Sequence, residues 1–267
     1  MAQISAQLVR ELRERTGAGM MDCKRALEET NGDVESAIVL LRERGMAQAA
    51  KRAGRATTEG LVGYRLAEDG SKGTMVAVGC ETEPVSKNDE FQAFAEKVLD
   101  AVDAGGVEAA AGLDDERAEL SGKLGENIVV AGAARFEAVD GSRVSAYAHP
   151  PANKLGVLVQ VRGGDAELAR KLAMHIAASS PQWIAREDVP EAAVAAEREI
   201  YANSDEVQSK PVEAREKIVD GMLNKRFFGA NVLVEQEWVH ESGRTVKQVL
   251  DEAGAGVLEF ERFSLTG

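Results

Sequence analysis

The chain is short of the residues that do chemistry. Its 267 residues include two cysteines and three histidines, and aromatics make up only 4%. Cys23 and Cys80 lie far apart and suggest no disulfide framework, so a reducing cytoplasm is the expected setting. His149, His175 and His240 share no metal-ligand spacing with them, so no metal and no cofactor are expected. No apolar run approaches the roughly 20 residues of a membrane span. The start, MAQISAQLVRE, lacks the charged-then-apolar pattern of a secretory leader. Gly17-Ala18-Gly19 is not followed by Gly-Lys-Ser/Thr, which excludes a Walker-type phosphate loop and leaves a structural turn.

Acidic residues outnumber basic ones, 45 to 32. The net charge is −13, and it is uneven: residues 1–55 carry 10 basic and 8 acidic side chains, the remainder 22 and 37. An acidic body argues against a nucleic-acid partner, which needs a basic face. Carboxylates are so abundant that none is singled out as an acid/base pair. Cys80 and His175 remain open as a nucleophile pair, although Cys80 ends an apolar strand, where a small buried hydrophobe is the common case. On the residues alone, this is a non-catalytic protein. At 44% hydrophobic, it has enough Val, Leu, Ile and Ala for a sizeable core.

What is present is organised around Leu12–Gly45, LRERTGAGMMDCKRALEETNGDVESAIVLLRERG. A helix capped by Ser5 ends at Thr16-Gly17, and a second begins near Met20 and closes at Asn31-Gly32. Asp33 caps a third, which Gly45 is expected to stop. Leu8 and Leu12, then Met20, Cys23 and Leu27, then Val34, Ala37, Ile38 and Leu41 give each helix one apolar face, so the three form a bundle. Met46–Glu59, rich in Ala, Lys and Arg, is expected to be a linker.

Downstream, Leu61–Leu66 and Thr74–Cys80 read as a β-hairpin around Glu68–Ser71. A polar loop, Glu81–Asn88, leads to a helix with Phe91, Ala95, Val98 and Val102 on one face, ended by Gly105-Gly106. Asp114–Leu124 reads as a polar helix and Ile128–Ala138 as extended. After an Asp140-Gly141 turn, Val144–Ala148 and Leu155–Val161 read as strands, and Asp165 caps a helix through Ser179. Strand, strand, helix thus occurs twice, which predicts a duplicated core. Pro190–Ser204 and Pro211–Phe228 read as helices made antiparallel neighbours by a short polar connection, Asp205–Lys210, with proline at or near the first position of each. Few of their residues are apolar, so the hairpin is expected to protrude. Asn231–Glu235 is expected to be a strand, Thr245–Glu252 a capped helix, and Val257–Leu265 the closing strand.

The run ELRERTGAGMMDCKRAL followed by NGDVESAI resembles the amino-terminal module of the bacterial elongation factor Ts family. FQAFAEKVLDA, KLGENIVV, NKLGVLVQV, AMHIAASSPQWI, Lys210–Phe228 and RTVKQVL extend the resemblance over nearly the whole chain. It implies an α+β fold with an N-terminal three-helix (UBA-like) bundle, a duplicated strand-strand-helix core and a protruding antiparallel helical hairpin. The implied divisions are the module at 1–55, core halves at 56–140 and 141–189, the hairpin at 190–229 and a closing part of the second half at 230–267. At the end, Phe263–Gly267, the family's longer members continue into a small helical module whose contacts would be absent here.

The resemblance implies a guanine nucleotide exchange factor that binds elongation factor Tu, in its GDP-bound and nucleotide-free states, and promotes GDP release without covalent chemistry. It implies partner contacts at Arg13 and Lys24, which are otherwise ordinary solvated helix charges. Thr82-Glu83-Pro84-Val85 stands where the family has a Thr-Asp-Phe-Val loop that pushes between partner helices and dislodges magnesium. Leu155-Gly156 matches an apolar interface pair. His175 matches a histidine pressing near the phosphate-binding loop, although it shares a face with Leu168, Leu172 and Ile176. Val239-His240 matches a further contact. The alternatives are a protein-binding adaptor with a UBA-like module and no effect on nucleotide, and an enzyme using Cys80.

Overall fold

The computed structural model describes residues 4–139 and 141–266. Three helices come first, Ala6–Thr16 (α1), Met20–Glu29 (α2) and Val34–Arg52 (α3). Strands Glu59–Leu66 (β1) and Lys72–Cys80 (β2) precede helices Glu83–Ser86 (α4), Asp89–Gly105 (α5) and Asp114–Leu124 (α6). Strands Val129–Glu137 (β3), Ser142–Ala148 (β4) and Leu155–Arg162 (β5) lead to helix Ala166–Ser179 (α7). Helices Glu191–Ala202 (α8), Asp205–Gln208 (α9), Val212–Met222 (α10), Gly229–Asn231 (α11) and Val246–Glu252 (α12) follow, then strand Gly256–Ser264 (β6). The fold is α+β with two small antiparallel sheets, ordered β1-β2-β3 and β4-β5-β6.

The expected caps at the amino end are in place. Ser5 Oγ accepts from the Leu8 amide, and Asp33 from that of Ser36. Asn31 and Gly32 take positive φ between α2 and α3. Leu12, Cys23, Leu27 and Ala37 meet in one buried cluster.

Gly45, however, does not end α3, and the expected linker is helical as far as Arg52. The reason is tertiary. Gly45 faces Gly122 of α6, and the two backbones come so close that a β-carbon added at Gly122 would lie 2.7 Å from the Gly45 Cα. The glycine serves a helix crossing rather than a stop, and the Arg42–Glu119 ion pair joins the same two helices.

This contact predicts an asymmetric pair of variants. Gly122→Ala should destabilise the fold by about 1–3 kcal/mol, the range for overpacking. Gly45→Ala meets only ordinary contact at 3.7 Å. It should be neutral or stabilise by roughly 0.5–1 kcal/mol through helix propensity. Chemical denaturation measures both, and equal effects would contradict the described crossing.

The core is layered. The strand run at 72–80 is apolar almost throughout because both faces of β2 are buried. Met75 and Ala77 point inward, with Val62 and Phe136, onto Val144, Ala146 and Leu158 of the second sheet. Val76, Val78 and Cys80 point outward under Phe91, Phe94, Val98 and Val102 of α5. In the second half Val157, Val159 and Val161 lie under Leu172, Ala173 and Ile176 of α7. Each fully buried Phe, Leu or Val stabilises by roughly 1.5–3 kcal/mol. Each half contributes a hairpin, a covering helix and a third strand pairing with the second strand of its own hairpin.

Three further expectations need correction. Glu81–Asn88 is not all loop, because Glu83–Ser86 forms the single turn α4 with Pro84 in its first turn. Asp205–Lys210 is not merely a polar link, since α9 buries Val207 at 1% exposure in a cluster with Val219, Met222 and Phe227. Asn231–Glu235 is not a strand; it is helical turns with one isolated bridge between Trp183 and Val232. Val232 and Leu233 are both fully buried, but in different clusters, so their apolar run satisfies two cores rather than one ladder. Of the Asp140-Gly141 turn, Asp140 lies outside the described residues.

Candidate partner-binding site

The turn after β2 is an exposed segment tied down by several hydrogen bonds. Thr82, Glu83 and Pro84 are exposed, while Val85 is half-buried against the outer cluster of the first sheet. One carboxylate, Glu126 on the α6–β3 connection, holds the turn from behind. Its Oε2 accepts from the Glu81 and Thr82 amides at 3.0 Å each, and its Oε1 from the Thr82 hydroxyl. Glu81 reciprocates, accepting from the Asn127 amide at 2.7 Å. The Cys80 thiol donates to the Thr82 carbonyl. Glu83 pairs with Lys87 one helical turn on, and the hydrogen bond from that ammonium holds its carboxyl below the usual range.

The opening of β5 lies near this turn. Lys154, whose charge acts on both Glu83 and Cys80, is paired with Glu59 at the start of β1. Leu155 is half-buried and Gly156 is buried. A β-carbon at Gly156 would come within 2.5 Å of Val62 Cγ1, so this glycine permits close packing of the two sheets and is not a surface contact. Beside them, His149 is exposed, with its Nδ1 2.8 Å from the Tyr147 hydroxyl. Its sequence gives no sign of a contact, because a histidine beside a Pro-Pro loop carries no periodic signal.

His175 is not where a surface contact would be. It is fully buried. The Val239 amide donates to Nδ1 at 3.3 Å, so Nε2 carries the proton and donates to Gln236 Oε1 at 3.0 Å. Gln236 in turn donates to the carbonyls of Ser179 and Ala230. The ring stacks on Trp238 with centroids 5.1 Å apart. Burial pushes the imidazole pKa down, with the Gln236 bond opposing. His175 thus organises the segment that carries the exposed Val239 and His240, and His240 Nε2 lies 2.9 Å from the Lys171 carbonyl.

Arg13 and Lys24 are exposed on α1 and α2, and Lys24 pairs with Glu28. The turn between these helices meets the core where Lys123 lies against Gly17 and pairs with Glu90. The structure therefore brings the 82–85 turn and the start of β5 together, and assembles His175 with Val239 and His240 as a second cluster.

The geometry does not support an enzyme built on Cys80. Its thiol is fully buried, and burial pushes its pKa up to about 12. It sits under α5, whereas His175 lies on α7 of the other half, bonded to Gln236 and Val239. Among the described residues no group of three or more His, Cys, Asp or Glu is placed to hold a metal ion. No described helix is long and apolar enough to cross a membrane. A cleft of about 550 Å³ between the amino-terminal helices and α6 is lined by two ion pairs, Asp22 with Arg25 and Glu29 with Arg44, together with Arg52 and Lys123.

A family model described as Elongation factor TS matches residues 81–267. The chain is 42% identical over 273 residues to Elongation factor Ts of Methylococcus capsulatus, covering 98% of this chain and 92% of that one. It is 43% identical over 272 residues to that of Thioalkalivibrio sulfidiphilus, with the same coverage. Against Elongation factor Ts of Escherichia coli K12 it is 43% identical over 269 residues, covering 99% and 92%. The similarity takes in the 82–85 turn, the β5 opening and the His175 cluster alike, and with nearly every residue inside it the chain belongs to the elongation factor Ts family.

Proposed function

We propose that this protein is the nucleotide exchange factor of translation elongation, binding elongation factor Tu and promoting release of its GDP. The observation that carries this is 42–43% identity to Elongation factor Ts over nearly the whole chain. The exposed 82–85 turn, held rigidly from behind, supplies the means: it enters the partner near its magnesium and phosphate site. Leu155 and His149 contact the partner beside it. The exposed imidazole of His149 takes the role that the sequence suggested for the buried His175. Arg13 and Lys24 on the three-helix, UBA-like module, and Val239-His240 on the other half, hold the two proteins together.

Two exposed aliphatics, Ile200 at 61% and Val212 at 73%, favour a hairpin at 190–229 that projects toward a partner rather than packing on the body. The protein acts in the cytoplasm and needs neither nucleic acid nor membrane.

Exchange without covalent chemistry has one thermodynamic requirement. The factor must bind nucleotide-free partner more tightly than GDP-bound partner, and GDP must weaken its binding by the same ratio. Affinity for elongation factor Tu, measured by calorimetry with and without saturating GDP, should differ by about ten-fold or more, the size of typical coupling free energies. Binding that ignores GDP would make the protein an adaptor instead.

A further inference from the structure

We propose that Glu126 is a positioning residue for exchange: it touches no partner, but holds the 82–85 turn in the geometry in which it enters one. This rests on the exchange reading above. Nothing in the local sequence suggests it, because Glu126 lies 44 residues from Thr82.

Three features single this carboxylate out. First, it takes three donors from two consecutive residues, the Glu81 amide, the Thr82 amide and the Thr82 hydroxyl. Bonds to an ionised acceptor are roughly twice as strong as neutral ones. Exposed turns ordinarily leave such amides to water and flex accordingly. Second, its own backbone is fixed. Gly125 turns the chain at positive φ after α6, and the buried Ser121 hydroxyl donates to the Glu126 carbonyl. Third, the adjoining Asn127 is 2% exposed and ties the corner to the chain beyond α3, donating to the Arg55 carbonyl at 2.8 Å. The turn and the end of the amino-terminal module therefore share one anchor.

A rigid turn matters because a wedge that must be ordered on contact loses part of its contact energy to that ordering. A turn already in place spends that energy on the nucleotide-expelled state, where it raises the rate. Freeing the turn should therefore lower the maximal rate of release more than it weakens encounter, which uses the other contacts.

The test uses the full chain and three variants, Glu126→Ala, Glu126→Gln and Glu126→Asp, read in two ways. Amide hydrogen exchange at Glu81 and Thr82 should speed up about ten-fold or more in Glu126→Ala, as expected for loss of a hydrogen bond to a charged group. Glu126→Gln, with one acceptor oxygen, should fall between, as should Glu126→Asp, which is one methylene short. In GDP release from elongation factor Tu, Glu126→Ala should lower the maximal rate about ten-fold and change the half-saturating concentration less than two-fold. With Glu83→Ala and Pro84→Gly already in place, Glu126→Ala should have no further effect on rate. Unchanged amide exchange, or an undiminished loss of rate in the background without the wedge, would overturn the proposal. If the unaltered protein failed to speed release, the exchange reading would fall instead, and amide exchange alone would decide whether Glu126 fixes the turn.

Discussion

Replacing His175 with leucine should destabilise this protein by about 2–3 kcal/mol, although leucine fits the apolar face that His175 shares with Leu172 and Ile176. The substitution leaves the Gln236 carbonyl oxygen and the Val239 amide without partners. Gln236 is only 4% exposed, so water does not compensate readily. For a chain of this length that corresponds to a fall in Tm of roughly 5–10 °C. Exchange should fall in step with stability, because His175 acts through the placement of Val239 and His240. A variant of unchanged Tm and lost activity would restore a direct role at the partner.

The same site gives the protein an acid limit. The native imidazole pKa is depressed by burial, and the unfolded value is about 6.5. Above pH 6.5 both states are neutral at this position and there is no penalty. As pH falls below 6.5 the unfolded chain binds the proton and the native one does not. Stability should then drop by up to about 1.4 kcal/mol per pH unit until the depressed native pKa is reached. Denaturation at pH 7.5 and 5.5 should show this drop in the unaltered protein and a smaller one in His175→Leu.

The second large effect lies at the turn. Glu83-Pro84 occupies the place where the family resemblance puts an Asp-Phe pair. A phenylalanine inserted between partner helices removes roughly 150–250 Å² from water, and proline fills such a space poorly. Losing a third of that area at about 25 cal/mol per Å² costs on the order of 1–2 kcal/mol. If it acts only in the nucleotide-expelled state, that is roughly a ten-fold change in rate. The fold should tolerate the exchange, because Pro84 is exposed in the first turn of α4 and phenylalanine displaces no packed neighbour there. Glu83→Asp with Pro84→Phe should therefore raise the maximal rate of GDP release up to about ten-fold. An unchanged or slower rate would mean that the partner's pocket is shaped for proline, or that the turn is no wedge.

Local signals were legible wherever the cause was local. The caps at Ser5, Asp33 and Asp165, the left-handed pair Asn31-Gly32 and the alternating strands all follow from neighbouring residues. Failures came where a distant partner decides. Gly45 reads as a helix stop until Gly122 is seen against it. Val232-Leu233 reads as a strand until its residues are seen in two different cores. At the candidate site the exposed turn was legible, but its support by Glu126 was not. The helix face of His175 is legible in its spacing from Leu168, Leu172 and Ile176, but its full burial is not, because Trp238 and Gln236 close over it from more than 60 residues away in the chain.

The most direct measurement is displacement of a fluorescent GDP analogue from elongation factor Tu of the same organism. Both proteins should first be shown to be folded, and this protein should be present at a small fraction of the partner's concentration. The account predicts multiple turnovers, with a release rate that rises with the amount of factor and saturates. A release rate that stays at the spontaneous value at every concentration of factor would contradict it.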